Sequence, residues 1–558
     1  MAVTGFTRSR LQAPNLRRAR FAATAVLLAG GCLAGPALAQ DGAAAAPAPV
    51  APSSAVQAQP LAAPDLFSIG AGTTGLPPEL WAGVSPGLFR AAIAAVDGKP
   101  LSPAGAALAR RILATGANAP AGIGEDAELA GARAHALMRL GDAAGAASIT
   151  DRTPNLAQRP ALSQAAAEAA LALAQEDKAC AIGDGLTTGR DGIFWLRLRA
   201  FCQARAGQAA AAQLTFDLAT QQARSPGYEK LMTALLAGRK AEPPLLDDGL
   251  DTALSRRVSG DWTKGLATAA APIAVAVARD PSAPPAARIE AAARAARIGL
   301  PVTEAYAAVA PLPADAAAAA AMPGAAGEAA LIALAQTASD WTLREAAVNA
   351  LLRRAKSTEE FLAFARLMGP PIAQLTGAQA VLREPMLVAT AAASVGDAAS
   401  ARVARGQLGQ GAAAPSPIDL AMLDAMIAAI GKPDGPAVDS LAAASRGEGA
   451  ARARAAIAIL AGLGAPLGPQ GRFELSQADL GPGRLPTGRV LAMDLAARAA
   501  GGPGETALYV LLADAESAPD GPSPGDRALF ERALEQAGLP DHARAYAVQG
   551  LLVAQTRR

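Results

Sequence analysis

Residues 178–219 read KACAIGDGLTTGRDGIFWLRLRAFCQARAGQAAAAQLTFDLA. This stretch divides into three short helical segments separated by polar, glycine-containing turns. In the middle segment, apolar residues recur at the spacing of one helix face. A helical hairpin with a single apolar stripe cannot bury it alone, so it must pack against neighbouring hairpins. We therefore expect an array of stacked helices, with Trp195 in its core rather than in a ligand site.

The same stretch contains Cys180 and Cys202, about eleven residues on either side of the turn at 189–192. Folding the chain back at this turn would bring the two cysteines level, as a disulfide requires. Closing a loop of about 23 residues would stabilise the fold by on the order of 3 kcal/mol. We predict this disulfide, and two buried free thiols are the alternative. A metal site is less well supported, because two thiols with no nearby histidine make an incomplete ligand set.

The N-terminus predicts export. Five arginines precede the apolar run FAATAVLLAG at 21–30, and small residues then lead to Ala39. A positive region, a short apolar region and an A-x-A site form the pattern of a secretory signal. We therefore predict a signal peptide over 1–39, cleavage between Ala39 and Gln40, and a periplasmic location.

Two other interpretations of this N-terminus stay open. Arg17 and Arg18 fit a twin-arginine export signal. The residues LAGGC that end at Cys32 are similar to a lipoprotein cleavage site, which would make the protein an outer-membrane lipoprotein anchored at Cys32.

Composition predicts an all-α protein behind a flexible leader. Residues 40–64 are rich in Ala and Pro and poor in charge, which predicts a disordered linker. Alanine makes up roughly a quarter of the chain and aromatic residues only 3%. This bias favours helices that pack closely through small side chains, and disfavours a sheet protein.

Charge and hydropathy limit the partners. The chain has a net charge of +2, and removal of the five arginines before residue 40 leaves about −3. A nucleic-acid-binding protein would show a basic excess, so we expect no nucleic-acid partner. No apolar run after the signal reaches the 18 or so residues that span a bilayer, so we expect no integral membrane span.

Turn signals recur at a nearly constant interval. They occur at Gly141, Gln175, Gly207 and Gly238, at steps of 34, 32 and 31 residues. Helix-turn-helix units of about 34 residues form tetratricopeptide arrays.

The unit after Gly207 carries a more specific pattern, with Ala212, Phe216 and Ala219 at the spacing A-x3-F-x2-A. This spacing resembles the second helix of a tetratricopeptide repeat. The preceding helix departs from the family at Arg199 and Gln203, where Leu and Tyr are preferred. The resemblance implies a right-handed α-solenoid whose concave surface binds proteins or peptides.

These patterns divide the chain into segments. The helical solenoid is predicted over 65–464, with its clearest repeats at 125–240. Clustered Gly and Pro predict a long loop over 465–489. The C-terminal part, 490–558, is predicted to form four helices, at 490–500, 505–515, 526–537 and 541–554.

Candidate catalytic residues are few. His135 and His542 have no partner at metal-binding spacing, so both are expected to be solvated helix residues. Glu474 is a lone carboxylate in the expected loop and should be solvated too. The pairs Arg353-Arg354 and Arg452-x-Arg454 are expected to lie on hydrated helix faces. The P-loop and H-E-x-x-H patterns do not occur in the sequence, and we predict no catalytic, cofactor or metal site.

These features together favour an exported helical-repeat protein that binds or scaffolds envelope proteins without catalysis. The alternative is an enzyme that acts on the cell wall or its polysaccharides from within a helical ring. Such an enzyme needs two carboxyl groups within about 5 to 10 Å of each other in a cleft.

Overall fold

A computed structural model describes residues 65–308, 313, 315–409, 415–481, 483, 485–499, 502–517 and 521–556. Throughout these residues the regular structure is helical, and no strand occurs in them. This confirms the predicted all-α class. The predicted signal peptide, its cleavage site at Ala39 and Gln40, the linker at 40–64 and Cys32 lie outside the described residues.

Helices follow one another along the chain with short connections. The first group is α1 (Pro86–Gly98), α2 (Pro103–Ala114), α3 (Ala127–Arg139), α4 (Ala143–Asp151) and α5 (Pro160–Ala172). The second is α6 (Glu176–Gly185), α7 (Ile193–Arg205), α8 (Ala209–Gln222), α9 (Pro226–Leu236) and α10 (Gly249–Val258). The third is α11 (Ala271–Arg279), α12 (Pro285–Arg297), α13 (Ala316–Ala321), α14 (Gly324–Thr337) and α15 (Trp341–Arg353).

The remaining helices continue to the C-terminus. The fourth group is α16 (Thr358–Gly377), α17 (Pro385–Ser394), α18 (Ala398–Gly406), α19 (Pro417–Ile430) and α20 (Gly435–Ala444). The fifth is α21 (Ala450–Gly462), α22 (Pro469–Ser476), α23 (Thr487–Arg498), α24 (Pro503–Glu516), α25 (Pro524–Gln536) and α26 (Pro540–Thr556).

The starts of α1 and α2 follow capping preferences that are visible in the sequence. Ser102 caps α2, because its Oγ accepts a hydrogen bond from the Gly105 N–H at 3.1 Å. Pro103 takes the first helical position, where its missing N–H costs nothing. Ser85 caps α1 in the same way, accepting from the Leu88 N–H at 3.2 Å.

The predicted turns are confirmed by their backbone. Gly141, Gly207 and Gly238 all take left-handed conformations, with φ of 91°, 74° and 61°. Glycine is the default residue in this region because it has no β-carbon. The corresponding turn between α5 and α6 places Ala174, one residue before the predicted Gln175, at a φ of 59°.

Apolar side chains form two clusters in the described part of the chain. The smaller cluster belongs to α5–α10 and buries Trp195, which is 4% exposed, together with Leu198 and Phe201. Trp195 is therefore a core residue, as predicted. Ala212 and Phe216 of the quoted motif also face this cluster. The larger cluster extends through the other helices, from α1 to α26.

Many helices pack against their neighbours along the chain. Several contacts join helices that are far apart along the chain, and two groups of them matter here. Helix α10 returns to pack on α5, so α6–α9 form an excursion with its own core. The first helices meet the last ones, since α1 and α2 pack on α24, and α2 also packs on α26. Ala63–Arg558 accordingly form one compact unit.

The segment at 465–489 differs from the predicted loop, because it contains α22. Pro469 begins this helix at a position where proline fits. Gly471 lies so close to α20 that a β-carbon there would come within 2.8 Å of Val438 Cγ1. The glycine permits close helix packing at this point and does not break the helix. The four predicted C-terminal helices are confirmed as α23–α26, with ends that differ by only a few residues.

Helices long and apolar enough to cross a membrane are not found among the described residues.

Candidate functional site

The predicted cysteine pair lies on adjacent helices, with Cys180 on α6 and Cys202 on α7. Their Cα atoms are 5.8 Å apart and their sulfur atoms are at disulfide distance. The pair therefore links the two helices that the turn at 189–192 brings together, as predicted.

His135 is not simply a solvated residue. Its side chain is 41% exposed, but Nδ1 lies 2.7 Å from Asp97 Oδ1 and Nε2 lies 3.5 Å from Glu168 Oε2. The hydrogen bond with Asp97 raises the pKa of His135. The two carboxylates come from α1 and α5, so sequence spacing could not reveal them. Among the residues that the structure describes, no group of three His, Cys, Asp or Glu could hold a metal ion.

His542 was predicted to be solvated, and that prediction is wrong. Its side chain is buried on α26, and Nε2 lies 3.3 Å from Arg111 Nη1 on α2. Because an arginine can only donate, the histidine nitrogen accepts this hydrogen bond and the ring is neutral. Burial, and then the charge of Arg111, lowers the pKa of His542 to about 4.

Glu474 was also predicted to be solvated, and it is buried. It lies on α22 at 6% exposure and accepts hydrogen bonds from Arg454 Nε at 3.0 Å and Gln470 Nε2 at 2.9 Å. A buried carboxylate needs such partners, because its charge is costly outside water. The ion pair therefore joins α22 to α21 and does not leave a free carboxylate.

Arg353 is exposed, as predicted, whereas Arg354, Arg452 and Arg454 are half-buried, and all four have partners on other segments. Arg353 forms an ion pair with Glu384. Arg354 donates from Nη1 to the Met322 carbonyl at 3.1 Å. Arg452 Nη1 lies 3.2 Å from Asp419 Oδ1. Packing of adjacent helices supplies these partners, and the local sequence does not show them.

A groove of about 780 Å³ lies where α16 and α17 begin and α26 ends. Its lining is mostly apolar and comes from segments far apart in sequence. The apolar side chains that line it are Phe361, Met386, Leu387, Leu408 and Leu552. This volume is in the range of ordinary ligand and peptide-anchor sites. No local sequence pattern marks this groove, because only the tertiary fold brings its three main helices together.

Two exposed cations, Lys356 and Arg383, lie among the lining residues. Their side chains have no ion-pair or hydrogen-bond partner in the described part of the chain. The carboxylate of Glu384 also lines the groove, but it is paired with Arg353. Gln555 contributes a buried side-chain oxygen that has no hydrogen-bond partner among the described residues. The groove thus offers apolar contacts, two available positive charges and one buried acceptor.

Several backbone N–H groups at the starts of α16 and α17 already have side-chain partners. Ser357 Oγ accepts from the Glu360 N–H at 3.2 Å, and Glu360 Oε2 accepts in return from the Lys356 N–H at 2.9 Å. At the start of α17, Glu345 Oε1 accepts from the Arg383 N–H at 2.6 Å. These three N–H groups are therefore taken, and the side chains of Lys356 and Arg383 are charged donors that line the groove.

No protein-family model, curated protein or solved structure matches this chain.

The arrangement of groups in the groove suits binding. Glycoside hydrolysis uses two carboxyl groups that flank the bond to be broken. Among the described lining residues, Glu384 is the one carboxylate, and its charge is held by Arg353. Apolar walls with unpaired cations can instead receive a segment that carries apolar and acidic side chains.

Proposed function

We propose that this protein is exported to the periplasm and binds a segment of another envelope protein in the groove between α16, α17 and α26, without catalysis. The signal-like N-terminus and the tetratricopeptide-like spacing at 125–240 support export and a right-handed, solenoid-like stacking of hairpins. The cysteine pair on α6 and α7 is compatible with an oxidising compartment.

The observation that carries the proposal is the combination of an apolar groove with two exposed, unpaired cations. Apolar surface removed from water contributes roughly 25 cal/mol per Å² to binding. Charges at the edge of an interface mainly select the partner and speed its approach. The partner segment should therefore carry apolar anchors next to Asp or Glu.

Site-specific photo-crosslinking in cells tests this assignment. A photoreactive residue at Met386, in the groove, should capture one protein reproducibly. The same residue at Val403, which is exposed on α18 and does not line the groove, is the matched control. An equal yield of the same protein at both positions would contradict the groove as the docking site.

Charge reversal tests the chemistry of recognition. The double variant K356E/R383E should weaken binding of the captured partner by about tenfold, as two edge charges of roughly 0.5–1 kcal/mol each imply. Arg402 is an exposed arginine elsewhere on α18, so R402E is the control and should bind normally. Replacing the partner's acidic residues by Lys should restore binding to the double variant. Affinity that is indifferent to all of these changes would reject an acidic partner.

Mass spectrometry of the mature protein tests export. Cleavage at the predicted signal site gives an N-terminus at Gln40. A lipid-modified N-terminus at Cys32 would instead identify an outer-membrane lipoprotein, and an intact Met1 would contradict export.

A further inference from the structure

A second cavity, of about 420 Å³, lies deeper in the same unit. It is bounded by α2, α16, the α17–α18 turn, the end of α19 and α26. Its walls are largely apolar and are formed by Ala104, Leu362, Val395, Ile430 and Val548. The volume is that of a small-molecule site.

Arg366 lines this cavity from the middle of α16. Its guanidinium has no hydrogen bond and no ion pair with any residue that the structure describes. Burial lowers the pKa of Arg366, because the charged form loses water without gaining a carboxylate. Arg366 is half-buried, so its charge is only partly hydrated.

A second cation lies close to it. A β-carbon on Gly299 would lie 3.0 Å from Arg366 Nη1 and 3.6 Å from Arg110 Nη2. The two nitrogen atoms are therefore at most 6.6 Å apart, the limit set by those two distances. Arg110 donates to the Leu140 carbonyl at 3.3 Å. Burial and the neighbouring Arg366 together lower the pKa of Arg110 to about 10, although Asp142 opposes them.

Arg544 adds a third positive group, from α26. Its Nη1 lies 3.5 Å from Asp541 Oδ1, but that carboxylate is 78% exposed and its pull is weakened by water. The Nε of Arg544 is buried and has no hydrogen-bond partner among the described residues. Arg366 and Arg544 thus both line the cavity, and Asp541 is the one carboxylate among its described lining residues.

We propose that this cavity binds a small organic anion, with a carboxylate or phosphate head held by Arg366 and Arg544 and a short apolar body against the walls. The planar guanidinium suits both heads, because each can accept two parallel hydrogen bonds from it. Arg110 strengthens the positive field without touching the ligand. This site is independent of the groove, and a failure of one proposal leaves the other intact.

A purely structural role for Arg366 makes different predictions. A side chain that only covers apolar surface with its methylene groups stabilises the protein, and its loss lowers stability. A cation kept for a ligand acts in the opposite way. Its replacement by methionine, of similar length, removes an unpaired charge and should raise the thermal unfolding midpoint in the absence of added ligand.

Calorimetric titration with simple amphiphiles tests the site. Octanoate and octyl phosphate present the two heads on one tail, inorganic phosphate presents a head alone, and 1-octanol presents the tail alone. We expect at least one of the charged amphiphiles to bind, with either component alone binding at least tenfold more weakly. The better of the two heads then identifies carboxylate or phosphate as the ligand class.

Variants of the cavity give the decisive comparison. R366M and R544M should each weaken amphiphile binding at least tenfold. R366K should lose part of the affinity, because lysine cannot donate two parallel hydrogen bonds as the guanidinium does. R402M and the groove variant K356E/R383E should bind as the wild type does. The proposal is overturned if neither amphiphile binds at millimolar concentration, or if R366M and R544M both bind normally. A lower unfolding midpoint for R366M combined with unchanged affinity would likewise assign Arg366 a structural role.

Discussion

Loss of the bridge between Cys180 and Cys202 is expected to loosen α6 and α7 and to leave the larger core unchanged. The bridge joins residues 22 positions apart. For a loop of that size the chain-entropy relation gives about 3.4 kcal/mol of stabilisation at 25 °C. Because α5–α10 have a separate apolar cluster, we expect this free energy to act on that cluster and not on the whole unit.

Hydrogen exchange measures such a local effect, which a single unfolding curve of a protein this large does not resolve. The comparison is between the oxidised wild type and C180A/C202A. A loss of about 3.4 kcal/mol corresponds to exchange about 300-fold faster at the core amides of α7, when opening is in rapid equilibrium. Amides of α21, in the larger cluster, should exchange at an unchanged rate.

Reduced wild-type protein is the control, because it keeps both sulfur atoms while the loop is open. It should exchange like the double variant. Equal protection of α7 with and without the bridge would refute the reasoning. Equal acceleration of α7 and α21 would also refute it, since the two clusters would then open together.

Three further predictions concern stability. Ala174 and Gly207 both have a left-handed backbone conformation, which strains any residue that has a β-carbon. A174G should therefore stabilise the protein by about 1 kcal/mol and G207A should destabilise it by a similar amount, as urea unfolding would measure. A β-carbon at Gly207 would meet no atom within 4 Å, so backbone strain alone would cause the loss. The pKa of His542 is about 4 in the fold, below its ordinary 6.5. As pH falls from 6.5 to 4, the free energy of unfolding of the wild type should therefore decrease by about 3 kcal/mol relative to that of H542Q. Above pH 6.5 the two proteins should show the same dependence of stability on pH. Glu531 is fully buried, neither of its oxygens has a hydrogen-bond partner among the described residues, and burial raises its pKa well above 4.5. Wild-type stability should therefore fall as pH rises above 4.5, and E531Q should be more stable than the wild type at pH 8 but not at pH 4.

Each of these predictions has an opposite outcome. A less stable A174G would mean that Ala174 makes contacts worth more than its backbone strain. Parallel stability–pH curves for the wild type and H542Q would contradict a neutral, buried His542. A loss of stability in E531Q at pH 8 would show that the Glu531 side chain is held in the fold as an anion.

Features that depend on neighbours in sequence were predictable. The cap at Ser102, the left-handed turn at Gly141 and the inward stripe that contains Trp195 each follow from a few adjacent residues. The pairing of Cys180 with Cys202 belongs to this group as well, because one turn between two helices brings them together. Physical rules for capping, turns and helix periodicity act over one or two helical turns.

Features that depend on distant partners were missed. Glu474 was expected in water because its partner Arg454 is 20 residues away on another helix. His542 meets Arg111 across 431 residues. The Gly/Pro-rich segment at 465–489 was expected to be a loop, yet close packing against α20 makes glycine compatible with α22.

The sequence by itself determined that this chain forms helices rich in small residues, where the last four of them lie, and which two cysteines come together. Tertiary structure alone decided that α1 and α2 pack against the last helices, and that α16, α17 and α26 surround a groove and an arginine-lined cavity. The physical reason is the separation along the sequence of the residues that interact. Helix formation is governed by contacts within a few residues, whereas a cavity exists only where side chains hundreds of positions apart are brought together and some of their polar groups remain unpaired.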